Sequence, residues 1–325
     1  RNRAPRRTPA IFALAMAAKL GDDATRAAAL AAVNDVCVIG TDLFQFVAAL
    51  EAFGGWGRGT RRAVAKWYLD KAPSALALQL VKYQRREGWA HRDVLRLCKP
   101  SGHVRGGATD AALRWATCGA DDAGGDVHAD LALIYAAERA KLAVNVKEIV
   151  GLINGAGLPR ECVPTAFLND TSVWAALLDN RGRGMSNEAL IRNLGKMTSI
   201  GLIKPLSAAE SAVCTQIMSE RVLQRTHPVK FLTAAGGYAS GHGVKGDFIW
   251  APSQHVVRTL NDAFVASLKY GTATGKRIMI AVDVSGSMDW PTTATRGGIT
   301  ARQAAAALAL WLASVEPNVH VVAFS

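Results

Sequence analysis

Between residues 10 and 270, Gly, Pro or Asp interrupts the chain about every 15 to 20 residues, and the stretches between carry apolar residues at helical spacing with almost no strand-like alternation. This limits the fold. A helix of three or four turns has one apolar face and cannot bury it alone, so many such helices must pack on one another. The spacing predicts helices near 9–20, 22–38, 41–53, 59–69, 73–87, 91–97, 109–118, 127–143, 146–154, 172–179, 186–197, 208–225, 228–235 and 253–270. Paired short helices of this kind stack into a solenoid, although no repeat is visible in the sequence itself.

The pattern changes after Tyr270. Residues 271–276, Gly-Thr-Ala-Thr-Gly-Lys, have the composition of a linker. Arg277-Ile278-Met279-Ile280-Ala281-Val282-Asp283 follows as a continuous apolar run of strand length, which reads as a buried strand of a parallel sheet. With a helix over 299–314 and a second strand over 319–324 it forms one βαβ unit. The expected organisation is therefore a helical region over 1–270, a linker over 271–276 and the start of an α/β domain over 277–325. The first strand delivers Asp283, Ser285 and Ser287 to its carboxyl end, where open α/β sheets bind ligands. Alternating spacing lets these oxygens converge from one tight loop, and a hard divalent cation such as Mg²⁺ prefers oxygen ligands.

Composition excludes several classes. Half of the 325 residues are hydrophobic, which allows a large core. No uncharged apolar run reaches the roughly 18 residues of a membrane span, and the Arg-rich segment 1–7 is not followed by the apolar core of a secretion signal. Five cysteines, Cys37, Cys98, Cys118, Cys162 and Cys214, are scattered without a CxxC pair, so reduced thiols in a cytoplasmic protein are expected and zinc is not. The segment Gly241-His242-Gly243-Val244-Lys245-Gly246 matches GxGxxG, but no apolar strand leads into it and no helix starts directly after it, which argues against dinucleotide binding. Neither a metalloprotease helix nor a nucleophile elbow nor a paired-carboxylate constellation occurs, so no catalytic activity is expected.

The net charge of +12 is localised. Residues 56–99 hold eleven Lys or Arg against Asp70, Glu87 and Asp93, a net of +8, and the first seven residues add +4. A concentrated excess of this kind is the footprint of a polyanion partner. At 100° per residue Arg58, Arg61, Arg62 and Lys66 fall within an arc of about 140°, with Ala63, Val64, Trp67 and Tyr68 opposite, so one face is cationic and the other packs. Lys82, Arg85 and Arg86 repeat the pattern on the expected 73–87 helix, and His91 and Arg92 carry further donors into the next. The alternative for any such run is a solvated face, but acids to pair with are scarce here. Trp89 fits the core better than a stacking role, and His227 before Pro228 reads as a structural histidine.

Together, Lys66-Trp67-Tyr68 and the run from Val81 to Leu97, VKYQRREGWAHRDVLRL, resemble the Ro autoantigen family, whose helical module is shared with telomerase-associated and vault proteins as the TROVE module. Val163-Pro164-Thr165, the segment 173–178, the segment 189–198, Arg225-Thr226-His227-Pro228 and Tyr238-Ala239-Ser240-Gly241 match as well. The Asp283-x-Ser285-x-Ser287 loop resembles the metal-ion-dependent adhesion site of a von Willebrand factor A domain, and Val321 to Ser325 fits the second strand of that domain in the family. The Ala- and Arg-rich composition is nearer to bacterial and phage members than to animal ones.

The resemblance implies a mostly α fold, a HEAT-like helical-repeat ring followed by the start of a doubly wound α/β A domain. It implies small Y-type noncoding RNA on a basic outer surface, with Lys82, Arg85, Arg86, His91 and Arg92 matching that surface. It also implies single-stranded 3′ ends of misfolded RNA in the ring, and in bacteria an exoribonuclease tethered through the RNA. Arg192 and Lys196, four apart on one helix, are candidates for the inner wall. A monomer suffices for a ring closed within one chain. The A-domain metal site of the family takes further ligands from later loops, so Asp283, Ser285 and Ser287 are only part of the set, and residues 277–325 span only the first third of such a domain. An alternative function is a Mg²⁺-dependent module that captures an acidic side chain of a protein partner.

Overall fold

The computed structural model describes residues 7–100, 107–119, 128–179, 185–243, 248–290 and 299–325. Seventeen α-helices and two pairs of strands lie among these residues. They group into two compact units, one ending at Phe167 and one running from Leu168 to Ser325. Among the described residues no helix is long and apolar enough to cross a membrane.

In the first unit α1 (Thr8–Leu20), α2 (Asp23–Ala31), α3 (Val33–Val36), α4 (Gly40–Ala52), α5 (Arg58–Leu69) and α6 (Pro73–Lys82) come first. The short strands β1 (Arg85–Arg86) and β2 (Trp89–Ala90) follow, then α7 (His91–Cys98), α8 (Gly107–Cys118), α9 (Ala132–Leu142) and α10 (Val146–Ala156). The core is aromatic at its centre, where Phe44, Phe46, Trp67 and Tyr68 are fully buried beside Leu43, Leu50 and Leu76. Each such side chain contributes about 1.5 to 3 kcal/mol by leaving water.

Capping explains several starts. Asp22 accepts from Thr25 N at 2.8 Å before α2, and Asn145 accepts from Glu148 N at 3.0 Å before α10. The expected 22–38 helix is broken at Ala32 into α2 and α3. The expected 73–87 helix ends earlier, at Lys82, where Tyr83 leaves helical geometry at φ −113° and ψ 68°. Glu87 at φ 51° and Gly88 at φ 81° then make a two-residue turn that pairs Arg85 with Ala90 and Arg86 with Trp89. Two successive positive φ angles are what a tight hairpin requires, and glycine supplies the second without strain. Arg85 and Arg86 therefore stand on a β-hairpin and not on a helix.

The second unit contains α11 (Thr171–Asp179), α12 (Asn187–Ser199), α13 (Ala208–Met218), α14 (Glu220–Arg225), α15 (Pro228–Ala239) and α16 (Gln254–Leu268). The expected 208–225 helix divides at Ser219, whose extended ψ of 140° stops α13. Residues 271–276 are irregular but pinned: Thr274 N and Gly275 N donate to the two carboxylate oxygens of Glu316 at 2.6 and 3.1 Å. Next come β3 (Arg277–Asp283), α17 (Ala301–Val315) and β4 (Asn318–Phe324). The strands are parallel in the register Arg277↔Asn318 to Asp283↔Phe324, the expected βαβ unit. Thr300 and Gln303 form a capping box at the start of α17.

The strand expected to be buried is not. Met279 is 71% and Phe324 54% exposed, because this sheet has two strands and one helix packed on it among the described residues.

Gly195 in α12 holds a close approach. A methyl group there would lie 2.7 Å from the ring of Trp250, which is anchored by Nε1 donating to Tyr238 O at 2.9 Å. We expect Gly195→Ala to destabilise the protein by about 1 to 3 kcal/mol in urea denaturation, since overpacking outweighs the roughly 1 kcal/mol helix-propensity gain. A gain in stability would show that the indole can move aside.

Candidate nucleic-acid interface and the Asp283 loop

The amphipathic reading of α5 matches its packing. Val64, Trp67 and Tyr68 are fully buried, while Arg58, Arg61 and Arg62 are exposed and have no acidic partner among the described residues. Lys66 is exposed as well but pairs with Asp70 one turn on. At the hairpin Arg85 and Arg86 are exposed, with Arg86 Nε 3.1 Å from Glu87 Oε1. Lys82, at the end of α6, lies over the Tyr83 ring at 5.7 Å. Arg92 is exposed in the first turn of α7 with no acidic partner among the described residues.

The hairpin is joined to the approach to α5 by Trp56 and Trp89, whose rings meet at 6.3 Å. Trp89 is thus half-buried in packing, as its sequence context suggests. The contact holds the two cationic segments on neighbouring elements of one unit. Closely spaced like charges without counter-charges raise the local potential for a phosphate chain.

His91 does not belong to this surface. It is 4% exposed, with Nδ1 2.9 Å from Tyr68 Oη and Nε2 3.2 Å from Gln79 O. A carbonyl only accepts, so Nε2 carries the proton and Nδ1 accepts from the tyrosine hydroxyl. Burial pushes its pKa down to about 4, which keeps the imidazole neutral. Both ring nitrogens are used in the core, and none is left for a phosphate or a base.

In the second unit Arg192 is exposed on α12, and Lys196, one turn further, donates to Asn169 Oδ1 at 2.7 Å. Half of this pair is therefore already committed. His227 precedes Pro228 at the start of α15 and packs on Trp311 at 5.6 Å, and burial lowers its pKa. Of the segment Gly241 to Gly246, residues 244–246 lie outside the described residues, as do residues 1–6 of the Arg-rich start and Val127 of the expected 127–143 helix.

The loop after β3 brings its oxygens together. Asp283 Oδ1 accepts from Ser285 N at 2.9 Å, and the Ser285 and Ser287 hydroxyls are 2.9 Å apart. The backbone hydrogen bond from Ser285 holds the Asp283 carboxyl below its usual range, so it is ionised at neutral pH. One carboxylate with two hydroxyls fits a hard divalent cation, with water or further oxygens completing the shell. Among the described residues no group of three or more His, Cys, Asp and Glu gathers. Sequence patterning missed the clasp on the loop: Arg302 in α17 donates through Nε and Nη2 to the two oxygens of Asp289 at 2.7 and 3.0 Å, and through Nη2 to Ser285 O at 3.3 Å. Only the fold brings residues 289 and 302 together, so no local signal marked them.

A helical region and an Asp-x-Ser-x-Ser strand end in this order define a class, and comparison with known proteins agrees. The TROVE domain model matches residues 2–118 and 158–239, and the Ro60 vWA domain model matches residues 277–325. The chain belongs to the TROVE domain family. It is 34% identical over 331 residues to the RNA-binding protein RO60 of Deinococcus radiodurans and 30% identical over 394 residues to the RNA-binding protein RO60 of Caenorhabditis elegans. Each alignment covers 99% of this chain, which spans about 60% of the length of either relative. The crystal structure of Deinococcus radiodurans RO (RSR) protein superposes with a TM-score of 0.81 at 34% identity, covering 99% of this chain and 64% of that one.

The histidine sets a pH dependence. Its folded pKa, about 4, is lower than the 6.5 of an exposed imidazole, so the unfolded state binds the extra proton between these values. Its contribution is present above pH 6.5 and is lost on acidification at about 1.4 kcal/mol per pH unit down to the folded pKa. Denaturant titrations at about pH 7, 6 and 5 should show this slope in the natural protein and a shallower one in His91→Gln. Equal slopes would mean that His91 is already charged in the folded state.

Proposed function

We propose that this chain is a non-catalytic RNA-binding protein of Ro type. The observation that carries the proposal is the set of exposed cations on α5 and the β1–β2 hairpin, of which Arg58, Arg61, Arg62, Arg85 and Arg92 have no acidic partner among the described residues. Arginine forks engage phosphate oxygens bidentately and the lysines neutralise them as point charges, so the surface holds an RNA backbone. Phosphate contacts position the RNA without reading its sequence, and shape and unpaired ends supply the selectivity. The partner that fits is a small structured, Y-like noncoding RNA on Arg58, Arg61, Arg62, Lys66, Lys82, Arg85, Arg86 and Arg92. Family membership supports a second engagement, of single-stranded 3′ ends of misfolded RNA, for which Arg192 and Lys196 are the candidates. It also supports a role in RNA quality control with an exoribonuclease tethered through the RNA.

The Asp283 loop supports a separate role. Asp283, Ser285 and Ser287 would hold Mg²⁺, whose charge would attract an acidic side chain of a protein partner. The Arg302–Asp289 clasp keeps the loop in shape while leaving the Asp283 side chain outside the ion pair.

Replacing Lys82, Arg85 and Arg86 together with Ala should weaken binding of a stem–loop RNA by a similar factor whatever its sequence. The plot of log affinity against log salt should flatten by about 0.7 to 0.9 per lost phosphate contact. An unchanged slope would remove the hairpin from the interface. Asp283→Ala should abolish Mg²⁺ uptake measured by calorimetry and leave RNA affinity unaltered. Loss of RNA affinity with retained Mg²⁺ binding would reverse the two assignments.

A further inference from the structure

Beside the hairpin the first unit has a cleft open to solvent, with a volume of about 360 Å³, walled by the last turn of α8, the start of α7 and α9. That volume lies in the range of small-ligand sites. Trp115 lines it, and its indole Nε1 donates to Glu138 Oε1 at 2.9 Å. Lys141 Nζ donates to the same oxygen at 2.7 Å. The carboxylate is thereby fixed in place, and its Oε2 has no hydrogen bond among the described residues. Arg92, which belongs to the proposed phosphate-binding set, lines the same cavity. An aromatic ring, an acceptor-only carboxylate and a free guanidinium are the three groups that an unstacked nucleotide engages through its base face, its base edge and its phosphate.

We propose that this cavity receives one unpaired nucleobase carrying an exocyclic amino group, cytosine above all, from the RNA bound at the hairpin. The inference rests on the RNA-binding reading above and adds base selectivity to it. Glu138 Oε2 accepts from the N4 amino group of cytosine and repels the O4 of uracil, which occupies the same position on a ring of the same size. Arg92 takes the phosphate of that nucleotide, and Trp115 supplies the stacking surface.

Cys118 gives a probe inside the cavity. It lines the space and is exposed, whereas burial pushes the Cys37, Cys98 and Cys162 thiols up to about 12 and raises that of Cys214. The thiolate is the reactive form, so mild alkylation of the full chain reads Cys118 selectively.

Single-stranded cytidine and uridine decamers are to be compared for affinity and for protection of Cys118. The cytidine decamer should bind about ten-fold tighter, which matches the low end of the discrimination a base-edge contact provides, and should slow Cys118 alkylation. Glu138→Gln should erase the preference without changing the salt slope, because the amide can donate to O4 as well as accept. Equal affinities, with Cys118 alkylated at its free rate, would overturn the cavity assignment in the natural protein without any variant and leave the hairpin interface standing. Failure of both decamers and of a stem–loop RNA to bind would overturn both.

Discussion

The hydrogen bond between Tyr68 and His91 ties together the part of the molecule that carries the basic surface. Tyr68 belongs to α5, His91 begins α7, and the other imidazole nitrogen reaches the backbone of α6 at Gln79. Three helices are thus locked by one neutral imidazole whose burial opposes a second proton. The ring also packs on Phe44 at 4.7 Å, and Gly40 of α4 passes so close that a Cβ would meet it at 3.1 Å. With that node fixed, the hairpin between α6 and α7 has fixed ends, and Arg85, Arg86 and Arg92 have a fixed spacing. Preorganised cations give up less entropy on meeting a phosphate chain than cations on a free loop.

The second unit uses the same economy at its carboxyl-terminal end. Glu316 binds the backbone of residues 274 and 275 next to β3, and the Arg302–Asp289 pair closes the loop at the other end of that strand. Between them the strand delivers Asp283 to a loop whose backbone already lowers its pKa. The Arg302–Asp289 ion pair is exposed and adds little stability on its own. Its value here is geometric, because with Arg302 also donating to Ser285 O it restricts where the two serine hydroxyls can lie.

Much of the organisation is legible in residue order. The buried positions of Val64 and Trp67 on α5 follow from 3.6-residue periodicity, whereas Tyr68 falls only about 20° from Arg61 at 100° per residue and is buried by its tertiary packing and its bond to His91. The βαβ unit follows from an apolar run, a helix and a second apolar run, since parallel strands need a crossover. The helix expected to reach residue 87 is the instructive departure. Its apolar spacing continues to Tyr83, but Glu87-Gly88 is a two-residue turn between Arg86 and Trp89, and turn chemistry outweighs a fading periodicity.

What the sequence by itself determined is the class of chain: short helices, one concentrated cationic segment, and a strand that ends in a carboxylate and two hydroxyls. These are local properties, set by residue type and spacing within one or two turns. Only the tertiary structure decided that His91 is a core residue while its neighbour Arg92 is a surface one. Only it placed Trp115 against Glu138 and Arg302 against Asp289. Each of those outcomes depends on which buried groups face one another across separate elements, and a histidine's solvation and protonation are set by such partners rather than by the residues beside it in the chain.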